Sequence, residues 1–435
     1  MNTPFQKAQA ICQTLQAANH TALLTGGCVR DSLLGVSPKD YDIATTATPD
    51  EVAALFPKCI PVGAAFGVMM VLDGDDQFEL ATFRTDGDYS DGRRPDSIEF
   101  TTAKQDALRR DFTVNALFMH PNTEEVIDYI GGKADLEARC IRAVGNPMDR
   151  FKEDHLRLIR AIRFASQLDF DIEADTYAAI TECAPLLKHI SPERIRHELE
   201  RILTQPRPEV AIQRLYDTGL LEQFLPELCE TVGCKQSPQY HPEGDVFTHT
   251  LLVLKHMVSP TFTLAMSVLL HDIGKPPTQT FEDRIRFNNH DHVGAKMTET
   301  ICRRLKCFNS ETKRITWLVS KHMRVAASQN MRDSKLKRLV REKGFGELLE
   351  LMKLDSLGCH RDLSNYYWLK KYAESIPDEV VRPVLLISGK DLIELGYSPG
   401  PQFKEILLSI EDLQLEDKIQ DKQAALSYIN EHWPQ

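Results

Sequence analysis

Residues 23–46 read LLTGGCVRDSLLGVSPKDYDIATT, and the rest of the chain is best understood outward from them. A short apolar strand, Ala22-Leu23-Leu24, runs into Gly26-Gly27, then Arg30-Asp31, a helical turn through Leu33 and Leu34, and Asp40-Tyr41-Asp42. Glycines directly after a strand let the backbone approach a bulky anion, and the next helix offers its free N–H groups to phosphate. Side chains at i and i+2 of a strand share a face, so a strand through Asp40 and Asp42 turns both carboxylates to one spot. Paired carboxylates suit Mg2+, which keeps some waters and takes further ligands from substrate phosphates. A phosphate cradle beside a metal pair implies a nucleoside triphosphate site. Singly, a Gly-Gly is most often a turn and an Asp-x-Asp a solvated loop; the joint spacing carries the reading.

Gly-Gly-x-x-Arg-Asp followed by Asp-x-Asp, with Leu34-Gly35 between, resembles the polymerase β-type nucleotidyltransferases of the tRNA CCA-adding and bacterial poly(A) polymerase group. The resemblance implies template-independent addition of nucleotides from CTP and ATP to a tRNA 3′ end. Asp40 and Asp42 would hold Mg2+, and Gly26, Gly27 and Arg30 the triphosphate. Strand-like segments GVMMVL (67–72) and FELATFR (78–84) complete a small mixed sheet. Glu79, just ahead of Ala81-Thr82-Phe83-Arg84, stands where the family expects a third catalytic acid; alone, it would be an edge-strand charge. LRRDFTVNAL (108–117) matches the family's second motif, which places Arg110 and Asp111 at the ribose and phosphates and has Asn115 hold the turn. DGDYSDGRRPD (86–96) alone is a surface loop. Its position resembles the flexible loop that CCA- and A-adding enzymes carry and CC-only relatives lack.

EDHLRLIRAIRF (153–164) reads as one helix, with Asp154, Arg157, Arg160 and Arg163 spaced by three on its surface. The plain reading is a surface helix with an i,i+3 ion pair. The chemistry supports a sharper one. Cytosine and adenine present an amino donor beside a ring-nitrogen acceptor, and guanine and uracil the reverse. A carboxylate only accepts and a guanidinium only donates. Asp154 and Arg157 would therefore take C and A and reject G and U, as in the family's Glu-Asp-x-x-Arg motif, where side chains act as the template. Arg160 and Arg163 would bind triphosphate or position Asp154. Ser191-Pro192-Glu193-Arg194 opens another helix and resembles the last neck motif; the resemblance to this point covers residues 20–230.

Beyond His241 the chemistry changes. His249 lies in an apolar helix, His271-Asp272 ends another, and His290, His322 and Asp355 follow. A single histidine on an apolar helix is usually a core residue, yet imidazoles and carboxylates are also ligands for Mn, Ni, Fe or Zn. Five such positions in this order resemble the HD phosphohydrolase superfamily. This implies a divalent transition metal such as Ni2+ or Mn2+ on His249, His271, Asp272, His290, His322 and Asp355, with Lys275 neutralising a phosphate. Composite enzymes of this kind are linked to phosphatase and 2′,3′-cyclic phosphodiesterase activities. His292 rivals His290, which has the better spacing from Gly294.

The expected fold class is α+β: a small N-terminal polymerase β-type nucleotidyltransferase α/β head, then an all-α neck, body, HD domain and helical tail. The expected divisions are 1–140, 141–235, 236–365 and 366–435. At 435 residues several domains are the natural expectation. No apolar run is long enough to span a membrane, no signal sequence opens the chain, and ten scattered cysteines lack a C-x-x-C pair. These features point to a cytoplasmic protein. A net charge of −11 argues against general nucleic-acid binding, but residues 301–343 carry thirteen Lys/Arg against three Asp/Glu. Such a patch can hold a folded RNA by its phosphates, or be an ordinary solvated face. An A-only enzyme or a poly(A) polymerase is the alternative within the class; the HD segment and the absence of a basic tail favour CCA addition. A different class, an HD hydrolase whose head only docks RNA, is disfavoured by the complete set of head acids. A non-enzymatic RNA-binding protein is disfavoured by the two complete sets of metal-ligand residues.

Overall fold

The computed structural model describes residues 3–89, 92–239 and 241–434, in two compact units, Met1–Cys229 and Glu230–Gln435. The fold is α+β. Met1 and Asn2 of the expected first helix lie outside the described residues. Helix α1 (Pro4–Ala17) starts at a reciprocal cap between Thr3 and Gln6. There follow β1 (Ala22–Thr25), α2 (Gly27–Leu33), β2 (Asp42–Thr45), α3 (Pro49–Leu55), β3 (Cys59–Gly63), β4 (Val68–Asp73) and β5 (Asp76–Thr82). Then come β6 (Arg84–Asp86), β7 (Ile98–Phe100), α4 (Ala103–Leu108), β8 (Phe118–Met119) and β9 (Val126–Ile127).

Among the described residues the main sheet has seven strands in the order β3-β4-β5-β2-β1-β8-β9. Strands β2 and β5 pair in parallel, with Ile43 beside Leu80, so β5 is interior and Glu79 does not sit on an edge. Both faces of the central strands are buried, by alternation. Leu24 and Ile43 join a core with Ile11, Leu15, Val29 and Phe78. Leu23 and Ala44 point the other way, to Phe83, Ala107 and Phe118. The expected loop at 86–96 is the tip of the β6–β7 hairpin, in which Arg84 pairs with Phe100. Its Ser90 and Asp91 lie outside the described residues.

The remainder of the first unit is helical apart from the short parallel pair β10 (Cys140–Ile141) and β11 (Asp171–Ile172). Its helices are α5 (Gly132–Glu137), α6 (Pro147–Glu153), α7 (Leu156–Gln167), α8 (Ala174–Cys183), α9 (Pro192–Leu203), α10 (Pro208–Asp217), α11 (Leu220–Phe224) and α12 (Pro226–Cys229). The single helix expected over 153–164 is in fact two. Asp154, with φ −134° and ψ 105°, is extended and separates α6 from α7. Leu156, Ile159 and Ile162 of α7 are buried, as their spacing predicts.

The second unit begins with α13 (Val246–Lys255), α14 (Phe262–Leu270) and α15 (Lys275–Thr278), then the hairpin β12 (Gln279–Phe281) and β13 (Ile285–Phe287). It continues through α16 (His290–Arg304), α17 (Asn309–Ala326), α18 (Asp333–Val340), α19 (Phe345–Gly358) and α20 (Ser364–Ser375). The chain ends with α21 (Asp378–Val381), α22 (Gly389–Glu394), α23 (Pro401–Leu415) and α24 (Lys422–His432). Helix α14 is apolar on most of its surface and buried from Leu264 to Leu270, the pattern of a central helix. Residues of α22, α23 and α24 close a separate small core around Leu392, Ile406 and Ile429. Among the described residues no helix is long and apolar enough to cross a membrane.

Candidate functional site

The first site is built where β1 ends. Gly26 adopts φ +73°, a left-handed conformation that favours glycine, and a Cβ there would lie 3.6 Å from the Arg110 guanidinium and 3.7 Å from Asp42 Oδ2. The strand–glycine–helix order expected of a phosphate cradle is present, with α2 starting at Gly27. Asp42 opens β2, one step before the Ile43–Leu80 pair, and Glu79 lies one step before the same pair on β5. Neighbouring parallel strands thus set these two acids side by side. Asp40 differs from expectation: it precedes the strand and is exposed, because the last residue of β1 to pair is Thr25, opposite Asp42. The three carboxylates still act on one another. Burial, reinforced by the charges of Glu79 and Asp40, pushes Asp42 up to about 7, and burial and Asp40 push Glu79 up as well. A divalent cation relieves such crowding of negative charge, so these acids fit one. A cleft of about 680 Å3 opens beside Glu79, lined also by Phe66, Arg84, Arg93, Arg94 and Arg194.

Behind the acids runs a side-chain network joining residues remote in sequence. Arg160 donates to Asp111 Oδ2 at 2.9 Å, Asn115 donates to Asp111 Oδ1 at 3.2 Å, and Arg30 donates to Asn115 Oδ1 at 2.6 Å. Burial disfavours the Asp111 carboxylate, but Arg160, Arg157 and the Phe112 N–H outweigh it and bring Asp111 down to about 2. Arg110 is aligned by Asp106, a buried acid on α4 that also holds Arg109. Nothing singled Asp106 out in the sequence, although its i,i+3 and i,i+4 spacing to the two arginines was a usable signal.

At the break between α6 and α7, Asp154 Oδ1 accepts the Leu156 N–H at 3.1 Å and Oδ2 accepts from Arg194 at 3.0 Å. Arg194, the last residue of the Ser-Pro-Glu-Arg motif, is therefore the partner of Asp154 and also faces the cleft. Arg157 donates to Glu153 at 2.5 Å and to the carbonyls of Arg150 and Arg109 at 3.0 and 3.1 Å. Those bonds use three of its five N–H groups. Arg163 turns instead to Glu198, 2.7 Å away, both side chains being buried. The loop reaches the same corner: the His155 N–H donates to the Gly92 carbonyl at 3.2 Å, and Tyr89 donates to Asp86 at 2.7 Å.

In the second unit all six expected ligands converge. Gly274 makes this possible: a Cβ there would lie 2.2 Å from the His290 carbonyl and 2.5 Å from the Gly294 amide nitrogen, so only glycine lets α15 and α16 meet. His249, His271 and Asp355 form one group, and Asp272, His290 and His322 another, each with its ligand atoms within 4.8 Å of one another. Asp272 joins them, with Oδ2 at 3.2 Å from His271 Nε2 and Oδ1 at 3.5 Å from His290 Nε2. Donation from Nδ1 to the carbonyls of Val268, Phe287 and Val319 leaves the Nε2 atoms of His271, His290 and His322 as acceptors facing inward. That fits a divalent transition metal. His292 points away, exposed and bonded to Asp291. Lys275, expected to meet a phosphate, lies 2.6 Å from Asp272 and also donates to Gln236. Glu243 was missed because it sits in a polar His-Pro-Glu-Gly turn; its Oε1 faces His249 Nδ1 at 2.7 Å and His241 Nδ1 at 2.9 Å. A cavity of about 680 Å3 opens over the cluster.

Two metal-fitting sites, one in a nucleotide-cradling sheet and one in a histidine-lined bundle, define a polymerase-type nucleotidyltransferase joined to an HD domain. Comparison with known proteins agrees. Residues 22–142 match the poly A polymerase head domain, 169–231 the "Probable RNA and SrmB- binding site of polymerase A", and 246–348 the HD domain. The CCA-adding enzyme of Levilactobacillus brevis is 32% identical over 97% of this chain and 96% of its own length. That of Geobacillus thermodenitrificans is 47% identical, but over 53% of this chain and 57% of its own, so this match spans little more than half of that relative. The crystal structure of the Bacillus stearothermophilus CCA-adding enzyme in complex with CTP superposes with a TM-score of 0.78 at 29% identity, covering 99% of this chain and 98% of that one. The chain belongs to the CCA-adding enzyme family of nucleotidyltransferases.

Proposed function

We propose that the first unit builds or repairs the 3′-CCA end of tRNA from CTP and ATP, without a nucleic-acid template. The observation that carries this is the meeting of Asp42 and Glu79 on adjacent parallel strands beside Asp40, within reach of the Gly26-Gly27 turn. The CTP bound in the Bacillus stearothermophilus relative supports the substrate class. The primer's 3′-oxygen bonds to the α-phosphorus, its proton passes to solvent water, and the bond from the α-phosphorus to the bridging oxygen breaks, so that this oxygen leaves with the β-phosphorus as pyrophosphate. Asp40, Asp42 and Glu79 would hold Mg2+, which when bound lowers the pKa of the 3′-hydroxyl and stabilises the leaving pyrophosphate. Gly26, Gly27, Arg30 and Arg110 bind triphosphate, with Arg30 kept in place through Asn115, Asp111 and Arg160. Asp154 accepts the amino proton of C or A, and the unused donors of Arg157 serve the ring nitrogen. Arg163 acts indirectly, by fixing α7 against α9. The test supplies the purified protein with tRNAs ending at the discriminator base, at C and at CC. Incorporation of labelled CTP and ATP in sequence supports the reading; ATP alone on every primer makes it an A-only enzyme.

We further propose that the second unit is a metal-dependent phosphohydrolase. Its support is the inward-facing set His249, His271, Asp272, His290, His322 and Asp355 under an open cavity. These residues would hold a divalent transition metal, which when bound activates water and neutralises phosphate charge. In the hydrolysis a water oxygen bonds to phosphorus, the ester P–O bond breaks, and a proton passes to the released oxygen. Arg284 and Arg286, which line the cavity, suit an anionic ester. Release of product from a 2′,3′-cyclic nucleotide with Mn2+ or Ni2+, absent from Asp272→Ala, tests it.

A further inference from the structure

Helix α20 has the sequence SNYYWLKKYAES, and only Tyr366 and Leu369 of it are buried. Tyr367 is 62% exposed and Trp368 37% exposed, an unusual display of aromatic surface on a helix otherwise rich in lysine. Trp368 lies against Tyr372 with ring centroids 5.6 Å apart and planes 17° from parallel, and Tyr372 is itself anchored by a 2.9 Å bond to Asp333. One face of the indole is thus held flat from behind. Ser364 and Asn365, in the first turn of α20, line the cavity over Asp272, His290, His322 and Asp355. Tyr367 and Trp368 stand three and four residues beyond Ser364, so they continue its side of the helix, and Lys371 follows one turn later. From Ser364 to Lys371 the helix rises about 10 Å. Two aromatic rings followed by the Lys371 ammonium group therefore lead out of the cavity that holds the metal-fitting cluster.

We infer that this face is a track for the single-stranded 3′ end of an RNA, which stacks its last bases on Tyr367 and Trp368 and delivers its terminal phosphoester to the cavity. The inference rests on the phosphohydrolase reading and narrows its substrate class from free nucleotides to strand ends. Charge complementarity and continuity with the cavity select this occupant. Lys371 offers a cation to a phosphate backbone, and stacking tolerates any base because every base has a π-face. An acidic peptide would match the lysine but would not need flat, ordered rings.

The experiment uses the full chain with Mn2+, and compares a nucleoside 2′,3′-cyclic phosphate with a short oligoribonucleotide ending in the same group. Tyr367→Ser with Trp368→Ser is expected to lower kcat/KM for the oligonucleotide by about tenfold or more, chiefly through KM, and to leave the mononucleotide unaffected. Tyr367→Phe with Trp368→Phe keeps both rings and is expected to restore the oligonucleotide rate. Equal losses on both substrates, or no loss on either, overturn the track. In parallel, a thiouridine-bearing oligonucleotide is photocrosslinked to the wild-type chain and the crosslinked peptide is mapped. Crosslinks at Tyr367 or Trp368 without any hydrolysis retain the track and refute the phosphohydrolase reading. Crosslinks confined to other parts of the chain, or burial of α20 between two copies in solution, overturn the track whatever the hydrolysis result.

Discussion

Replacing Asp154 by Asn changes one atom of the proposed template, and the surrounding contacts fix what that atom does. Each carboxylate oxygen of Asp154 already accepts one bond, from the Leu156 N–H at 3.1 Å and from Arg194 at 3.0 Å, and each retains a lone pair for a base. An amide has only one acceptor atom. The charge-assisted bond to Arg194 is the stronger of the two and claims it. The new NH2 group then lies beside the Leu156 N–H and presents donors where the amino group of C or A requires an acceptor. Losing a charged hydrogen bond and confronting two donors amounts to about 2–3 kcal/mol in the transition state, or roughly a hundredfold in kcat/KM for CTP. The same NH2 suits the O4 carbonyl of uracil, so UTP use rises relative to CTP. Asp154→Ala removes the acceptor without adding a donor and narrows the preference less. Arg194→Ala leaves the acceptor but frees it to move, with a smaller loss of about 1 kcal/mol. The assay is single-turnover incorporation of CTP and UTP on a tRNA lacking its CCA end. An Asp154→Asn enzyme that is folded and keeps the wild-type CTP:UTP ratio refutes the template, since an ordinary surface ion pair is worth about 0–1 kcal/mol and cannot choose a base.

Other outcomes follow from the same geometry. Asp42→Ala is expected to reduce incorporation of both nucleotides on the order of a thousandfold or more, while filter binding of tRNA, which depends mostly on phosphate contacts, stays near wild type. Gly92→Val places a Cβ 2.4 Å from the His155 ring at φ +64°; strain of about 1–3 kcal/mol should lift the loop and depress ATP addition more than CTP addition. Asp272→Ala should abolish metal-dependent hydrolysis and leave nucleotide incorporation unchanged, both measured on one preparation. Asp111 has a folded-state pKa of about 2, below its ordinary value, so the stability it contributes is full above about 4 and lost as pH falls through about 2. Acid unfolding of Asp111→Asn should accordingly lack about 2 kcal/mol of that pH-dependent loss.

The sheet was legible because its signals are local. A short apolar strand, a glycine pair and the helical turn after it each act within a few residues, and the structure has β1, Gly26 and α2 where they belong. The break at Asp154 was hidden by its own neighbourhood. Arginines spaced by three continue across it, so helical periodicity alone favours one helix over 153–164. What interrupts the helix is a side chain capping the next turn, reinforced by Arg194, 40 positions away. Asp side chains readily accept a backbone N–H two residues on, and that local competition with the helix was the readable signal at Asp154. Asp40 was misplaced for a related reason: strand length depends on the partner strand, and β1 pairs no further than Thr25.

The two sites were legible to different depths, and the difference lies in how each is held together. The candidate HD ligands were readable from their order along the chain, His249, His271-Asp272, His290, His322 and Asp355, rather than from any one of them alone. Glu243, which orients His249, looks like any surface acid in a turn, and only its 2.7 Å contact separates it from one. In the first unit four of the positions named from the family resemblance, Arg30, Asp111, Asn115 and Arg160, form one connected chain of hydrogen bonds. Arg30 reaches Asn115 across 85 residues and Arg160 reaches Asp111 across 49, spacings that no local pattern encodes. The network also explains why they belong together. Arg30, Arg160 and Arg163 lie 5.4, 5.2 and 4.2 Å from the Phe164 ring centroid, where three guanidiniums would repel unless a carboxylate were placed beside each; Asp31 pairs with Arg30 and Glu198 with Arg163. Asp111 supplies that charge directly to Arg160 and, through Asn115, an aligned dipole to Arg30. Removing Asp111 therefore frees Arg160 and loosens the Asn115 contact of Arg30, while Asp31, 2.7 and 2.8 Å from two nitrogens of Arg30, still holds that guanidinium, so the two arginines are loosened to different degrees.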